Sequence, residues 1–200
     1  LGSAVLLHGF TRAPRHLHLL STRLTREGIA TVRPALSAFS WSHSNNNAGY
    51  LTTLAERLAC GLPEGPVVVV GHSAGAAAGA WIAAELGDRG VDVRRLVMVD
   101  GVESPSGLIA RSWPRLHLQI RALLAPASRC NRHGELADWL LTHEGDVETL
   151  LVPGSGHGDI EGTDPTIYRW ACGDRSSEDI RRLVMDTVVA WVREGLTGPR

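Results

Sequence analysis

The stretch Gly71-His72-Ser73-Ala74-Gly75 constrains this chain more than any other. Four valines, residues 67–70, run directly into it and predict a strand buried on both faces. The alanine-rich residues 76–86 that follow predict a tightly packed helix. A chain passing from strand to helix in so short a space turns sharply enough to force its central residue into a strained backbone conformation. Flanking side chains would collide with the neighbouring elements, and glycine at 71 and 75 removes those collisions. The Ser73 hydroxyl is then held out at the top of the sheet, the arrangement called a nucleophile elbow.

The rest of the chain alternates strand with helix around that turn. Residues 4–7 are a short apolar strand ending in His8-Gly9-Phe10-Thr11. Pro14 opens a helix with Leu17, Leu20 and Leu24 on one face and Gly28 as its stop. Residues 29–32 form the next strand, and a polar loop over 40–47 ends at Asn47, which can cap a helix carrying Tyr50, Leu51, Leu54, Ala55 and Leu58. A fourth strand over 94–99 ends at Asp100-Gly101, and a Ser/Gly/Pro-rich connection to Pro114 is too short for a cap domain. A fifth strand lies within 116–124, a short helix within 135–143, and a sixth strand over 147–152 runs into Pro153-Gly154-Ser155-Gly156-His157-Gly158-Asp159. The last helix opens at Ser176, capping-box fashion, buries Ile180, Leu183, Val184, Val188, Trp191 and Val192, and stops at Gly195. This pattern predicts one α/β domain over 1–200, a mostly parallel sheet of about six strands with helices on both faces, ordered 2-1-3-4-5-6 by chain number.

Active sites in such sheets lie beyond the carboxyl ends of the strands. His8-Gly9-Phe10, Ser73, Asp100 and His157 all fall there. A serine hydroxyl needs a base, an orienting acid and an oxyanion hole. His157, in a glycine-rich loop after the last strand, is the candidate base. The backbone N–H of Ala74 and that of Phe10 are the candidate oxyanion donors. Asp100 is the candidate acid. The more usual position, after the fifth strand, reads Leu124-Ala125-Pro126-Ala127-Ser128-Arg129-Cys130-Asn131-Arg132 and holds no carboxylate. Glu103 is its nearest rival, with Glu135, Asp138 and Asp159 behind. His72 adjoins the nucleophile but points away from its hydroxyl; His16 and His18, two apart, cannot share a ligand. His117, His133 and His143 read as ordinary surface or core residues. Neither a metal nor a cofactor is expected.

With a net charge of −1 nothing points to a polyanion-binding surface, and no apolar run is long enough to span a membrane. The start at Leu1 leaves the compartment open, and so do Cys60, Cys130 and Cys172: one bridge plus a free thiol is among their possible arrangements.

These motifs resemble the α/β-hydrolase superfamily over nearly the whole chain, and within it the chlorophyllase group and its bacterial relatives. His8-Gly9-Phe10-Thr11 and the elbow are also shared with cutinase-like polyester hydrolases. The more specific likeness is Gly156-His157-Gly158-Asp159-Ile160-Glu161, followed by Tyr168-Arg169-Trp170-Ala171-Cys172-Gly173-Asp174 and the final helix. Cys130 to Trp139 is similar to a Cys-containing segment of that group. Asp100-Gly101-Val102-Glu103-Ser104 aligns with the run thought to supply its acid. The chain departs from the group at Ala74, where Arg is usual, and at Gly101, where Pro is usual. The resemblance implies a three-layer fold without its first strands, and hydrolysis of a small-molecule or lipid-like ester, the expected partner, through an acyl-enzyme. A thioesterase or acyltransferase using the same intermediate, and an inactive hydrolase-fold binding module, are the alternatives.

Overall fold

The computed structural model describes residues 1–36, 47–141, 145–162 and 170–198. The polar loop expected over 40–46, His143, Tyr168 and Arg169 lie outside them. Six strands form one sheet: β1 (Ser3–Leu7), β2 (Ala30–Val32), β3 (Val67–His72), β4 (Val93–Val99), β5 (Gln119–Leu124) and β6 (Val147–Leu151). Their order is β2-β1-β3-β4-β5-β6 and every neighbouring pair is parallel, as the alternation of elements predicts. Parallel pairing requires each connection to cross back over the sheet, so helices cover both faces.

The period of two along the strands sorts side chains into two cores. Val5, Leu7, Val67 and Val69 face the side covered by α2 (Ala48–Gly61) and α3 (Ala74–Asp88). Ala4, Leu6, Val68 and Val70 face α1 (His18–Arg26) and a C-terminal helix, Glu178–Thr197. β3 therefore lies between two apolar layers, which is why it tolerates an unbroken valine run. The sheet's edge strand β2 pairs only with β1 among the described residues, again as expected from strand order.

Asn47 caps α2 as its position suggests, accepting from the Tyr50 N–H at 3.0 Å. The connection over 101–114 is not plain loop. It contains a short helix, α4 (Leu108–Ser112), packed against α3. The next helix, α5 (Glu135–Leu141), precedes β6, so the C-terminal helix is α6.

Three details of α6 depart from the sequence reading. Its cap is Ser177, whose hydroxyl accepts from the Ile180 N–H, because Ser176 is drawn inward to donate to Asp159. Leu183 is 52% exposed, while Met185, Val189 and Leu196 join the buried face. The helix also runs past Gly195 to Thr197. That glycine marks a close approach to the sheet, since a Cβ there would lie 2.9 Å from Val68.

Cys130 and Cys172 form a disulfide with Cα atoms 5.4 Å apart, leaving Cys60 free and exposed. No helix among the described residues is long and apolar enough to cross a membrane.

Candidate active site

β3 ends at a turn whose geometry leaves no space for side chains. A Cβ on Gly71 would sit 2.2 Å from the Gly75 carbonyl oxygen, and one on Gly75 would sit 2.3 Å from that of Leu7. Ser73 between them takes φ 55° and ψ −126°, outside the regions open to an unstrained L-residue. The surroundings enforce this conformation. The Ser73 N–H donates to Val99 O at 3.1 Å and its carbonyl accepts from the Val102 N–H at 3.2 Å, pinning the elbow to the tip of β4.

At that tip Asp100 also has a positive φ, 42°, a conformation aspartate tolerates better than most residues. Its backbone N–H donates to Leu123 O at 2.7 Å. The carboxylate is divided between two tasks. Oδ1 accepts from the Ala125 N–H and from Asn131 Nδ2, both at 3.0 Å, and Oδ2 accepts from His157 Nδ1–H at 2.5 Å. Burial alone would raise this carboxyl, but the hydrogen bonds from His157, Asn131 and Ala125 outweigh it and hold its pKa below the ordinary value. With its Nδ1 proton directed at Asp100, His157 presents a bare Nε2 that accepts from the Ser73 hydroxyl at 2.9 Å. Ser73, His157 and Asp100 are all buried.

The loop that carries His157 is held by two further carboxylates. Asp159 Oδ2 accepts from the Gly156 N–H at 2.8 Å, and Asp174 Oδ2 accepts from the Gly158 N–H at 2.9 Å. Burial pushes the Asp159 carboxyl up, and Ser176 donates to its other oxygen. Gly156 packs so closely that a Cβ would meet Asp174 Cγ at 2.4 Å. The disulfide joins the two supports: Cys130 precedes Asn131, which holds Asp100, and Cys172 lies two residues before Asp174.

On the other side of Ser73, the tip of β1 comes close because Gly9 carries no Cβ; one there would be 2.9 Å from Ser73 Cβ. Phe10 follows directly, and Ala74 is the first residue of α3. His8 shapes this tip. Its Nδ1–H donates to Gly9 O at 2.9 Å while Nε2 accepts from the Leu36 N–H at 3.0 Å, so the ring is held neutral, and burial lowers its pKa.

His72 is buried beneath the site, and its Nε2–H donates to the His157 carbonyl at 2.7 Å. Burial, then the neighbouring His157, push its pKa down to about 4. Between that value and the ordinary 6.5 the unfolded chain binds a proton at this position and the folded chain does not, so stability falls as pH drops through the window. His72→Gln, which keeps a donor where Nε2 stands, removes this term. The wild type is expected to lose on the order of 2 kcal/mol more unfolding free energy than the variant between pH 7 and pH 4.5. Denaturant melts at both pH values check it, and equal losses would refute it.

Two of the rival carboxylates are engaged elsewhere. Glu103 accepts from the N–H groups of Ser104, Ile109 and Ala110 and so caps α4, and Glu135 pairs with Arg132 at 3.3 Å. Sequence reasoning passed over Asn131, Asp174, Arg12 and Glu161. Asn131 had a signal, since it occupies the segment after β5 where an acid is usual. Gly101, too, has a local reason: a Cβ there would lie 2.6 Å from Ala76 Cβ and 2.7 Å from Leu136 Cδ2, so proline does not fit. A cavity of about 900 Å³ lies at the opposite end of the sheet, between the amino ends of β4 and β5 and Glu194 of α6.

Comparison with known proteins agrees with this architecture. The model of the alpha/beta hydrolase family matches residues 4–194. No curated protein matches the chain in sequence. Among solved structures, the esterase domain of a Rhodothermus marinus protein superimposes with a TM-score of 0.66 at 15% identity, covering 96% of this chain and 86% of that one. Est1E from Butyrivibrio proteoclasticus gives 0.66 at 13% identity, covering 98% and 89%. The NocB thioesterase domain, solved as a covalent complex with a fluorophosphonate nocardicin G analogue, gives 0.64 at 17% identity, covering 99% and 96%. The extent of the family match, with the elbow and the strand order around it, makes this chain a member of the alpha/beta hydrolase family.

Proposed function

We propose that the chain is a serine hydrolase that cleaves a carboxylic ester through an acyl-enzyme. The observation that carries this reading is the continuous hydrogen-bonded series Ser73 Oγ–His157 Nε2 at 2.9 Å and His157 Nδ1–Asp100 Oδ2 at 2.5 Å. Ser73 Oγ attacks the ester carbonyl carbon as its proton passes to His157 Nε2. The carbonyl π electrons move to oxygen, where the N–H groups of Phe10 and Ala74 receive the charge. Collapse expels the alcohol, which leaves with the proton held by His157. Water then gives a proton to His157 and attacks the acyl carbon. The acid departs and Ser73 recovers its proton. Asp100 keeps the imidazole in the tautomer that frees Nε2 and stabilises the imidazolium. A small-molecule or lipid-like ester fits the likeness of residues 156–161 and 100–104 to the chlorophyllase group.

A fluorophosphonate probe is expected to label the chain once, with the adduct on the Ser73 peptide by mass spectrometry. A panel of p-nitrophenyl esters is expected to be turned over faster than acyl-CoA thioesters. An unlabelled Ser73 would sink the hydrolase reading; preference for acyl-CoA would move it to a thioesterase.

A further inference from the structure

Three loops of the site converge on a carboxylate that the hydrolytic steps do not use. Glu161 is completely buried, in the short helical turn Asp159–Glu161 that follows His157, and its N–H donates to Gly158 O at 3.0 Å. Arg12 reaches it from the β1 tip, two residues past Phe10. Its Nε donates to both carboxylate oxygens, at 2.9 and 3.0 Å, and its Nη2 donates to Oε2 as well. The Arg12 N–H in turn donates to Gly9 O at 3.3 Å, in the segment lying against Ser73. His72, beside the nucleophile, places Nδ1 3.6 Å from Glu161 Oε1 and gives its Nε2 proton to the His157 carbonyl. Resting on the hydrolase chemistry proposed above, we propose that Arg12 and Glu161 are positioning residues that set the oxyanion loop against the base loop.

Stability alone gives little reason to bury such a pair, because an apolar pair of similar volume does as well or better once desolvation is counted. What the pair adds is direction. A planar guanidinium forked onto a carboxylate fixes both distance and orientation, which two apolar side chains do not. The distance being fixed, from the Phe10 N–H to His157 Nε2 across Ser73, is one on which attack depends steeply, since misplacement by about 1 Å costs on the order of 100-fold.

The test uses the full chain and the p-nitrophenyl ester that the wild type turns over best. The double variant Arg12→Met/Glu161→Leu is expected to melt at or above the wild-type Tm, with kcat lower by roughly 10–100-fold and KM within about threefold. Arg12→Lys, which keeps the charge but not the fork, is expected to fall between the two. Wild-type kcat in the folded double variant would overturn the assignment and leave the hydrolase reading standing. So would loss of the fold in both variants, which would mark the pair as scaffold. A wild type that neither takes the fluorophosphonate nor turns over any ester would overturn the hydrolase reading itself, and this assignment with it.

Discussion

Ser73→Ala is expected to lower kcat on any ester the wild type cleaves by roughly 10⁴–10⁶-fold while leaving the fold intact. The size of the loss follows from what remains. Without Oγ no acyl-enzyme forms, and the bare His157 Nε2 can at best activate a water held less well than the hydroxyl now 2.9 Å away. The fold is spared because the turn is secured by backbone bonds, Ser73 N–H to Val99 O and Val102 N–H to Ser73 O, that alanine makes equally well. Alanine is no worse suited to the strained φ of 55° than serine. Circular dichroism and Tm establish the fold, and steady-state rates on the purified variant give the loss. Retained activity would end the nucleophile assignment.

Asp100→Asn is expected to cost on the order of 10⁴-fold in kcat with little change in KM. Here the neighbours dictate the outcome. The Ala125 N–H and Asn131 Nδ2 both donate to Oδ1, so an asparagine must turn its carbonyl oxygen to them. Its amide NH₂ then faces His157 Nδ1, which can accept from it only by giving up its own proton to Nε2. A protonated Nε2 cannot take the Ser73 proton, and the base is lost through its tautomer rather than through its position. Rates on the variant, with a crystal structure showing His157 in place, check both halves of the claim. A kcat within tenfold of the wild type would refute it.

The parts of the site that were legible in the sequence are those whose constraints are local. The elbow announces itself because sterics admit only glycine at 71 and 75, and the valine run before it because β3 has a core on each face. Asp100 could be singled out at a strand tip because the segment after β5 has no carboxylate; the structure fills that segment with Asn131, which supports Asp100 from the usual direction. The Arg12–Glu161 pair was invisible because its members are 149 residues apart and neither belongs to a local pattern. Ser176 and Ser177 are equivalent as caps to any rule based on spacing, and only the pull of Asp159 on Ser176 decides between them. Leu183 was misplaced for a related reason: periodicity gives the centre of a helix's buried face but not its width, which is set by how α6 sits on the sheet.

The Cys130–Cys172 bridge has a consequence for the chain before it folds. It closes a loop spanning 42 residues that contains β6 and His157. Cross-linking a loop of that length removes chain entropy from the denatured ensemble worth about 4 kcal/mol in the polymer model. In the oxidised but unfolded chain, the neighbour of Asn131 and the strand of backbone leading to Asp174 are therefore never far apart. The search that brings Asn131, which holds Asp100, to Asp174, which holds the His157 loop, is confined to a small volume from the outset, whereas the β1 tip and the elbow must still find that volume by free diffusion of the chain.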